Sequence, residues 1–145
     1  MRRIVLGILA LALLGMPGIA GASLDSFLDD LNVQARVDLP GFSAKVSAQF
    51  GVPVPRVEAV LVTVATPADA FMVFQLGQMA HRPPETVLQT YQTRKGKGWG
   101  VIAKELGIKP GSKEFHALKN GDLVLNGVPA GSSGTAKGKG KGKNK

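Results

Sequence analysis

Hydrophobic residues recur every three or four positions along much of the chain, which is the spacing of an amphipathic α-helix. Leu24, Phe27, Leu28 and Leu31 fall on one helical face, with polar residues between them. Residues 42–50 repeat this arrangement. The pattern therefore predicts two helices here, each with one face buried in a common core.

Proline and glycine mark where these helices end. We predict that Pro40-Gly41 separates the first two helices. Gly51 is predicted to end the second, because glycine readily adopts the left-handed conformation of a helix C-terminus. Residues 56–65 fit a helical face, but they also contain a run of β-branched residues typical of a strand. Their helical neighbours favour a helix, and Pro55 suits its first turn.

The clearest helix start lies at Thr66. Its side chain can cap the helix while Asp69 bonds back to it, and Pro67 suits the first helical position. This helix is predicted to run to about His81. Later helices are predicted from Pro83-Pro84, from Trp99 to Leu106 and from Ser112 to Leu118, followed by a short extended segment over 122–125.

Three windows of the sequence align without gaps, namely 46–57, 76–87 and 102–113. Each contains the apolar end of one helix, a proline near the start of the next, and a small residue for the turn, which is Gly51, Ala80 or Gly107. This arrangement predicts helical hairpins.

The fold class that follows is an all-α bundle of about five to seven short helices with helix–turn–helix-like hairpins and a disordered C-terminal tail. Its core is predicted to contain Trp99, Ile102, Leu106, Phe74, Phe71 and Leu88.

The N-terminal 22 residues have the pattern of a secretory signal peptide. Arg2 and Arg3 precede an apolar stretch from Ile4 to Leu14, and small residues lead up to Ala22. A transmembrane anchor is the alternative, but spanning a bilayer takes about 20 apolar residues. We expect cleavage near Ala22 and export to the periplasm or the extracellular space, with no transmembrane anchor afterwards.

Residues 127–145 are rich in glycine, serine and lysine and contain no acidic residue. Such a segment cannot bury a hydrophobic core and is predicted to be a disordered basic tail. The predicted organisation is therefore a signal peptide over residues 1–22, a helical domain over residues 23–126 and the tail over residues 127–145.

The chain has 18 Lys and Arg against 10 Asp and Glu, and the excess lies towards its C-terminus. Residues 94–122 hold seven basic and three acidic residues, whereas residues 23–38 hold four acidic residues and one basic residue. A dipolar molecule of this kind is expected to attract anionic polymers by counterion release, although lysines that only maintain solubility are the alternative. The candidate residues for binding anionic polymers are Arg94, Lys95, Lys97, Lys104, Lys109, Lys113, Lys119, Lys137, Lys139, Lys141, Lys143 and Lys145.

Catalytic groups are scarce in this sequence. It contains no Cys and two His, so a thiolate nucleophile, a disulfide and a thiolate metal site are excluded. His81 at a helix end and His116 within a helix are each expected to be structural rather than catalytic. We therefore expect no enzymatic activity, no metal site and no cofactor.

The segment from Trp99 to Ile108, with its Trp followed by Ile-Ala and by Leu before the turn, resembles the middle of Myb-like and homeodomain-like helix–turn–helix domains. The resemblance implies that the following helix reads DNA. The chain departs from that pattern because Pro110-Gly111 occupies the turn and the next helix contains no Arg. The longer string from Gly96 to Gly111 is similar to a family of small exported bacterial proteins of unknown function, which implies export and no particular activity.

Three functional hypotheses follow. The first is an exported, non-enzymatic helical module that binds an unidentified protein partner and is attached by its basic tail to an anionic polymer or envelope surface. The second is a nucleic-acid-binding helix–turn–helix protein whose helix 112–119 enters a groove of DNA. The third is an exported enzyme that uses His116 or His81 as a general base.

Overall fold

A computed structural model describes residues 23–125 and 128–129. Within this part of the chain there are seven helices and two short strands, which confirms the all-α prediction. The elements are α1 Leu24–Val37, α2 Leu39–Phe50, α3 Val54–Leu61, α4 Pro67–Ala80, α5 Pro84–Thr93, α6 Trp99–Glu105, α7 Lys113–Asn120, β1 Val124–Leu125 and β2 Val128–Pro129. The predicted signal peptide and residues 130–145 of the predicted tail lie outside the described residues.

Helix α4 lies at the centre of the bundle and contacts α1, α2, α3 and α5. Eight of its residues are buried: Ala68, Ala70, Phe71, Met72, Val73, Phe74, Leu76 and Gly77. A helix that is apolar on nearly all sides must be surrounded by other elements, which explains its position. Phe71 is fully buried and packs edge-to-face against Phe27 of α1 and Phe50 of α2.

The start of α4 has the predicted capping box. The Thr66 side chain accepts a hydrogen bond from the Asp69 backbone N–H, and the Asp69 carboxylate accepts one from the Thr66 N–H. Asn32 of α1 adds a third bond, because its side-chain oxygen accepts from the Ala68 N–H at 2.9 Å. Together these bonds satisfy backbone donors that the helix itself cannot pair.

The three aligned windows form three consecutive helix pairs. Helices α2 and α3, α4 and α5, and α6 and α7 follow one another in the chain and pack together. Gly51 (φ 65°) and Gly107 (φ 96°) have the expected left-handed conformation. In the second pair that conformation belongs to His81 (φ 53°), not to Ala80, which is the last residue of α4.

Two helix ends differ from their predicted positions. Asp38, not Pro40-Gly41, separates α1 from α2, and its carboxylate accepts a hydrogen bond from the Gly41 N–H at 2.9 Å. Proline is tolerated in a first turn because its missing N–H would have no partner there. Helix α3 ends at Leu61, so the ambiguous 56–65 segment is helical for its first part and a turn afterwards.

The chain after α7 folds back onto the bundle, and it includes the segment 122–125 that the sequence predicts to be extended. Leu123 and Leu125 are buried, and the Gln49 side chain donates to the Val124 carbonyl at 2.7 Å. Strand β1 pairs antiparallel with β2, with Val124 opposite Pro129. The described chain thus extends two residues into the segment that composition assigns to the tail.

Five of the six predicted core residues are buried, and Leu88 is half-buried at the edge of the core. No helix in residues 23–125 combines the length and the apolar character needed to cross a bilayer.

Candidate functional site

Three of the predicted binding residues lie where α5 ends and α6 begins. Arg94 is the C-terminal cap of α5, and Lys95 and Lys97 are exposed in the loop that follows. Gly96 and Gly98 both have positive φ, at 84° and 87°, which side chains with a Cβ rarely adopt. The two glycines therefore allow the loop to turn sharply and present its lysines to solvent.

Arg94 is held by a nearby carboxylate. Its Nε lies 2.6 Å from Glu105 Oε2 and its Nη2 lies 2.7 Å from Glu105 Oε1, a two-point ion pair between α5 and α6. The hydrogen bonds from Arg94 lower the pKa of Glu105, and the carboxylate raises the pKa of Arg94 in return. Arg94 is consequently less available to an outside anion than the lysines around it.

The remaining lysines of this segment project into solvent. Lys104 lies on α6, Lys109 on the turn after it, and Lys113 and Lys119 on α7, and all four are exposed. Among the described residues none of them forms an ion pair, although Lys104 Nζ lies 5.9 Å from the centre of the Phe115 ring. Since α5 contacts α6 and α6 contacts α7, these cations belong to one continuous part of the bundle.

A cavity of about 370 Å³ lies beside the loop, lined in part by Arg94, Lys95, Asp69 and Tyr91. The Tyr91 ring stacks on Trp99 with centroids 5.3 Å apart and an angle of 21° between the planes. Trp99 is 9% exposed, so it is a core residue, as predicted, and offers little ring surface to a ligand.

The Tyr91 hydroxyl, beside this cavity, both donates and accepts a hydrogen bond. It donates to Asp69 Oδ2 at 3.1 Å and accepts from the Ala65 N–H at 3.2 Å. Burial raises the pKa of Tyr91, and the Asp69 carboxylate adds to the rise because a phenolate beside it would be repelled. This cluster is a structural link between α4 and α5.

The part of the chain that resembles a helix–turn–helix has a longer connection than that motif. Residues 106–112 join α6 to α7, whereas a helix–turn–helix turn has about three to four residues. Helix α7 buries Phe115 and Leu118 and exposes Lys113, His116 and Lys119. Its exposed side is therefore free for a ligand, and its role in DNA binding stays a prediction.

The two histidines lie on different elements of the bundle. Both side chains are exposed, His81 at the end of α4 and His116 on α7. No group of three or more His, Cys, Asp or Glu that could hold a metal ion occurs in the described part of the chain.

The acidic start of α1 is not remote from the basic C-terminal helices. Helix α1 begins beside the end of α7, since a Cβ on Gly121 would come within 2.6 Å of the Ser23 carbonyl oxygen. Asp25, in the first turn of α1, therefore lies near the end of α7.

Sequence reasoning missed a second cavity of about 350 Å³, between the end of α2 and the α4–α5 turn. Phe50, Phe74, His81 and Arg82 line it. The alignment of the three windows contained one signal for it, because His81 occupies the position that Gly51 and Gly107 occupy in the other two.

The five tail lysines, Lys137, Lys139, Lys141, Lys143 and Lys145, lie outside the described residues. Comparison with protein-family models, with curated proteins and with solved structures finds no match to this chain.

Proposed function

We propose that this protein is an exported, non-enzymatic helical module whose lysine-rich C-terminal part binds an anionic polymer of the cell envelope or its surroundings. Lipopolysaccharide, a peptidoglycan-linked polymer and extracellular DNA all have the required repeating negative charge. The folded part of the module would in addition contact a protein partner. Export rests on the signal-peptide pattern of residues 1–22.

The observation that carries the proposal is the exposure of the folded lysines. Lys95, Lys97, Lys104, Lys109, Lys113 and Lys119 are all exposed, and none forms an ion pair with a described residue. A cation without a partner in the protein keeps its counterions until a polyanion displaces them, and the released ions supply the binding free energy. Arg94 contributes less, because Glu105 already neutralises it.

The position of the tail supports joint action with these lysines. Because Val124 pairs with Pro129, the chain at the end of β2 lies beside a residue that follows α7 by a few positions. Paired strands are about 4.8 Å apart. The tail therefore starts near the end of α7, and its five lysines can reach a polymer that also contacts the folded lysines.

A charge-removal series tests the proposal. One variant replaces the five tail lysines by Gln, and a second replaces Lys109 and Lys113 by Gln. A matched control replaces Arg36 and Lys45, which are exposed bases of α1 and α2, by Gln. Binding to lipopolysaccharide and to duplex DNA is measured at low salt by fluorescence anisotropy.

We expect the tail variant to lose most of the affinity, the Lys109/Lys113 variant to lose part of it and the control to stay near the original value. Equal losses in the control and in the Lys109/Lys113 variant would show that net charge alone matters. Unchanged affinity in the tail variant would refute the role of the tail.

DNA recognition by α7 is the second candidate, and the observation that favours it is the exposed side of that helix, with Lys113, His116 and Lys119. Groove recognition requires a preference among duplex sequences. A selection from random duplexes should then recover one motif, and K113Q/K119Q should abolish the preference. Equal binding to all duplexes and to heparin would reject this candidate and favour the first.

A further inference from the structure

The cavity between α2 and the α4–α5 turn has an aromatic floor. Phe50 and Phe74 stack there with ring centroids 5.9 Å apart and an angle of 26° between the planes. Phe74 is buried, but Phe50 and Val52 are only half-buried, so apolar surface faces the cavity. Its volume of about 350 Å³ suits a small organic molecule.

The rim of the same cavity is polar and carries only positive charge. Gln78, His81 and Arg82 line it, and all three side chains are exposed. Among the described residues no acidic side chain lines the cavity, and none forms an ion pair with Arg82. A guanidinium beside an apolar floor is complementary to an anion that has an apolar body.

The backbone at this rim is held tightly against α4. The Arg82 N–H donates to the Gly77 carbonyl at 2.9 Å, and a Cβ at Gly77 would lie only 2.9 Å from the Arg82 carbonyl oxygen. Gly77 therefore allows the turn to pack onto the helix. The close packing fixes where the Arg82 side chain leaves the backbone, at the edge of the cavity.

His81 occupies this rim in a conformation that its side chain disfavours. Its φ of 53° is the only positive value among the described residues other than glycine. Glycine fills the same place in the other two helix pairs and has no steric penalty there. A residue that is conformationally unfavourable for folding, yet placed at the mouth of a cavity, points to a role in binding.

We propose that this cavity is a binding site for a small carboxylic acid with an aliphatic or aromatic body. The body contacts Phe50 and Phe74, the carboxylate pairs with Arg82, and His81 donates a hydrogen bond at the mouth. The site is formed by α2, α4 and the α4–α5 turn, and none of the lysines that the structure describes lines it. Its lining residues differ from the residues of the proposed polymer-binding surface.

Octanoate and octanol, which share a chain length and differ in charge, provide the test. Each is titrated into the purified full-length chain and followed by NMR shifts of the Phe50 and Phe74 rings. Octanoate should bind and shift both rings, and octanol should bind at least several-fold more weakly. Absence of octanoate binding, or equal binding of the two, would overturn the proposal.

Two variants and a control assign the residues. Arg82→Gln should lower the affinity for octanoate by roughly ten-fold, as expected for the loss of a charge-assisted hydrogen bond. The affinity for octanol should stay unchanged. Arg56→Gln is the control, because Arg56 is a cation that pairs with Glu85 and does not line this cavity. An equal loss of octanoate affinity in both variants would mean that octanoate is attracted by the overall charge, and would overturn the proposed site.

His81→Gly separates binding from folding. It should raise the melting temperature, since glycine suits the left-handed conformation, and should lower the affinity for octanoate at the same time. A higher melting temperature with unchanged octanoate affinity would make His81 a structural residue only and remove it from the site. These readouts do not involve anionic polymers, so they succeed or fail independently of the proposed function.

Discussion

At the scale of single residues, Tyr91 connects three elements. Its ring stacks on Trp99 at the start of α6, and its hydroxyl bonds both Asp69 of α4 and the Ala65 N–H before it. Tyr91 is not among the six residues that the sequence predicts for the core, yet it is buried. The partners of its hydroxyl come from 22 and 26 positions away in the chain, and only the fold brings them together.

Tyr91→Phe tests this hydrogen-bonded link. Losing the hydroxyl leaves the Ala65 N–H without its acceptor and should lower the free energy of unfolding by about 1–2 kcal/mol at neutral pH, measured by urea denaturation. The pKa of Tyr91 is raised in the folded state, so the original protein should lose stability as the pH rises above about 10.

The variant lacks that titration, and the difference in stability between the two proteins should therefore shrink as the pH rises above about 10. Lysine deprotonation affects both proteins alike and cancels in the comparison. A difference that stays constant over this range would contradict the account of the Tyr91 environment.

Trp99→Ala should be among the most damaging single substitutions. It removes a buried indole and the stacking partner of Tyr91, and such truncations cost about 3–5 kcal/mol. Trp99→Phe is the control that keeps an aromatic ring and should cost much less. A loss below about 1 kcal/mol on urea denaturation of Trp99→Ala would show that Trp99 is not a core residue.

At the scale of elements, local sequence signals located most of the helices. The Thr66–Asp69 capping box, the Gly51 end and the helix start at Ser112 all lie where the residue types predicted them. These signals succeed because each acts within one turn of its own helix. Asn32 was missed, because its bond to the Ala68 N–H spans 36 positions and has no local signature.

The candidate sites likewise combine features that local sequence signals predict with features that depend on how the helices pack. Exposure of the lysines on α6 and α7 could be predicted, because Phe115 and Leu118 define the opposite, buried side of α7. The pairing of Arg94 with Glu105 and the cavity beside His81 could not be predicted. Both depend on how neighbouring helices are placed, and hydrophobic spacing within a helix does not encode that placement.

Gly51 and Gly121, which each end a helix, allow the cost of a left-handed backbone conformation to be measured separately from the cost of a steric clash. Gly51 and Gly121 both have left-handed φ values, 65° and 69°, but a Cβ at Gly51 would meet nothing within 4 Å. Gly51→Ala should therefore cost only the conformational penalty, about 1–2 kcal/mol. Gly121→Ala should cost distinctly more, because its Cβ would collide with the Ser23 backbone at the start of α1.

Thermal and urea denaturation of both glycine variants measure this comparison. Equal losses for the two would mean that the end of α7 does not pack against the start of α1 as described.

Asn32→Ala tests the link between α1 and α4. Removing the acceptor leaves the Ala68 N–H unpaired within a mostly buried first turn, and the expected loss is about 1–2 kcal/mol in the free energy of unfolding. Gln34→Ala, an exposed position two residues further along the same helix, is the matched control and should change little. Similar values for both variants would argue against a structural role for the Asn32 bond.

At the scale of the whole molecule, the bundle carries two kinds of candidate surface. The exposed lysines and the start of the tail lie along α6, α7 and the β1–β2 arm, whereas the cavity with the aromatic floor lies between α2 and the α4–α5 turn. The first suits a polymer with repeating charge, and the second suits a small amphiphilic acid.

The central claim is that the C-terminal part of the protein holds an anionic polymer by counterion release. The most direct measurement is the affinity for duplex DNA and for lipopolysaccharide across a range of salt concentrations, with the intact chain and with the variant in which Gln replaces the five tail lysines. The account predicts that the logarithm of the DNA association constant falls linearly with the logarithm of salt concentration. The slope should become shallower by about 0.9 for each tail lysine that contacts a phosphate. Affinity that does not depend on salt, or an identical slope for the two proteins, would contradict it.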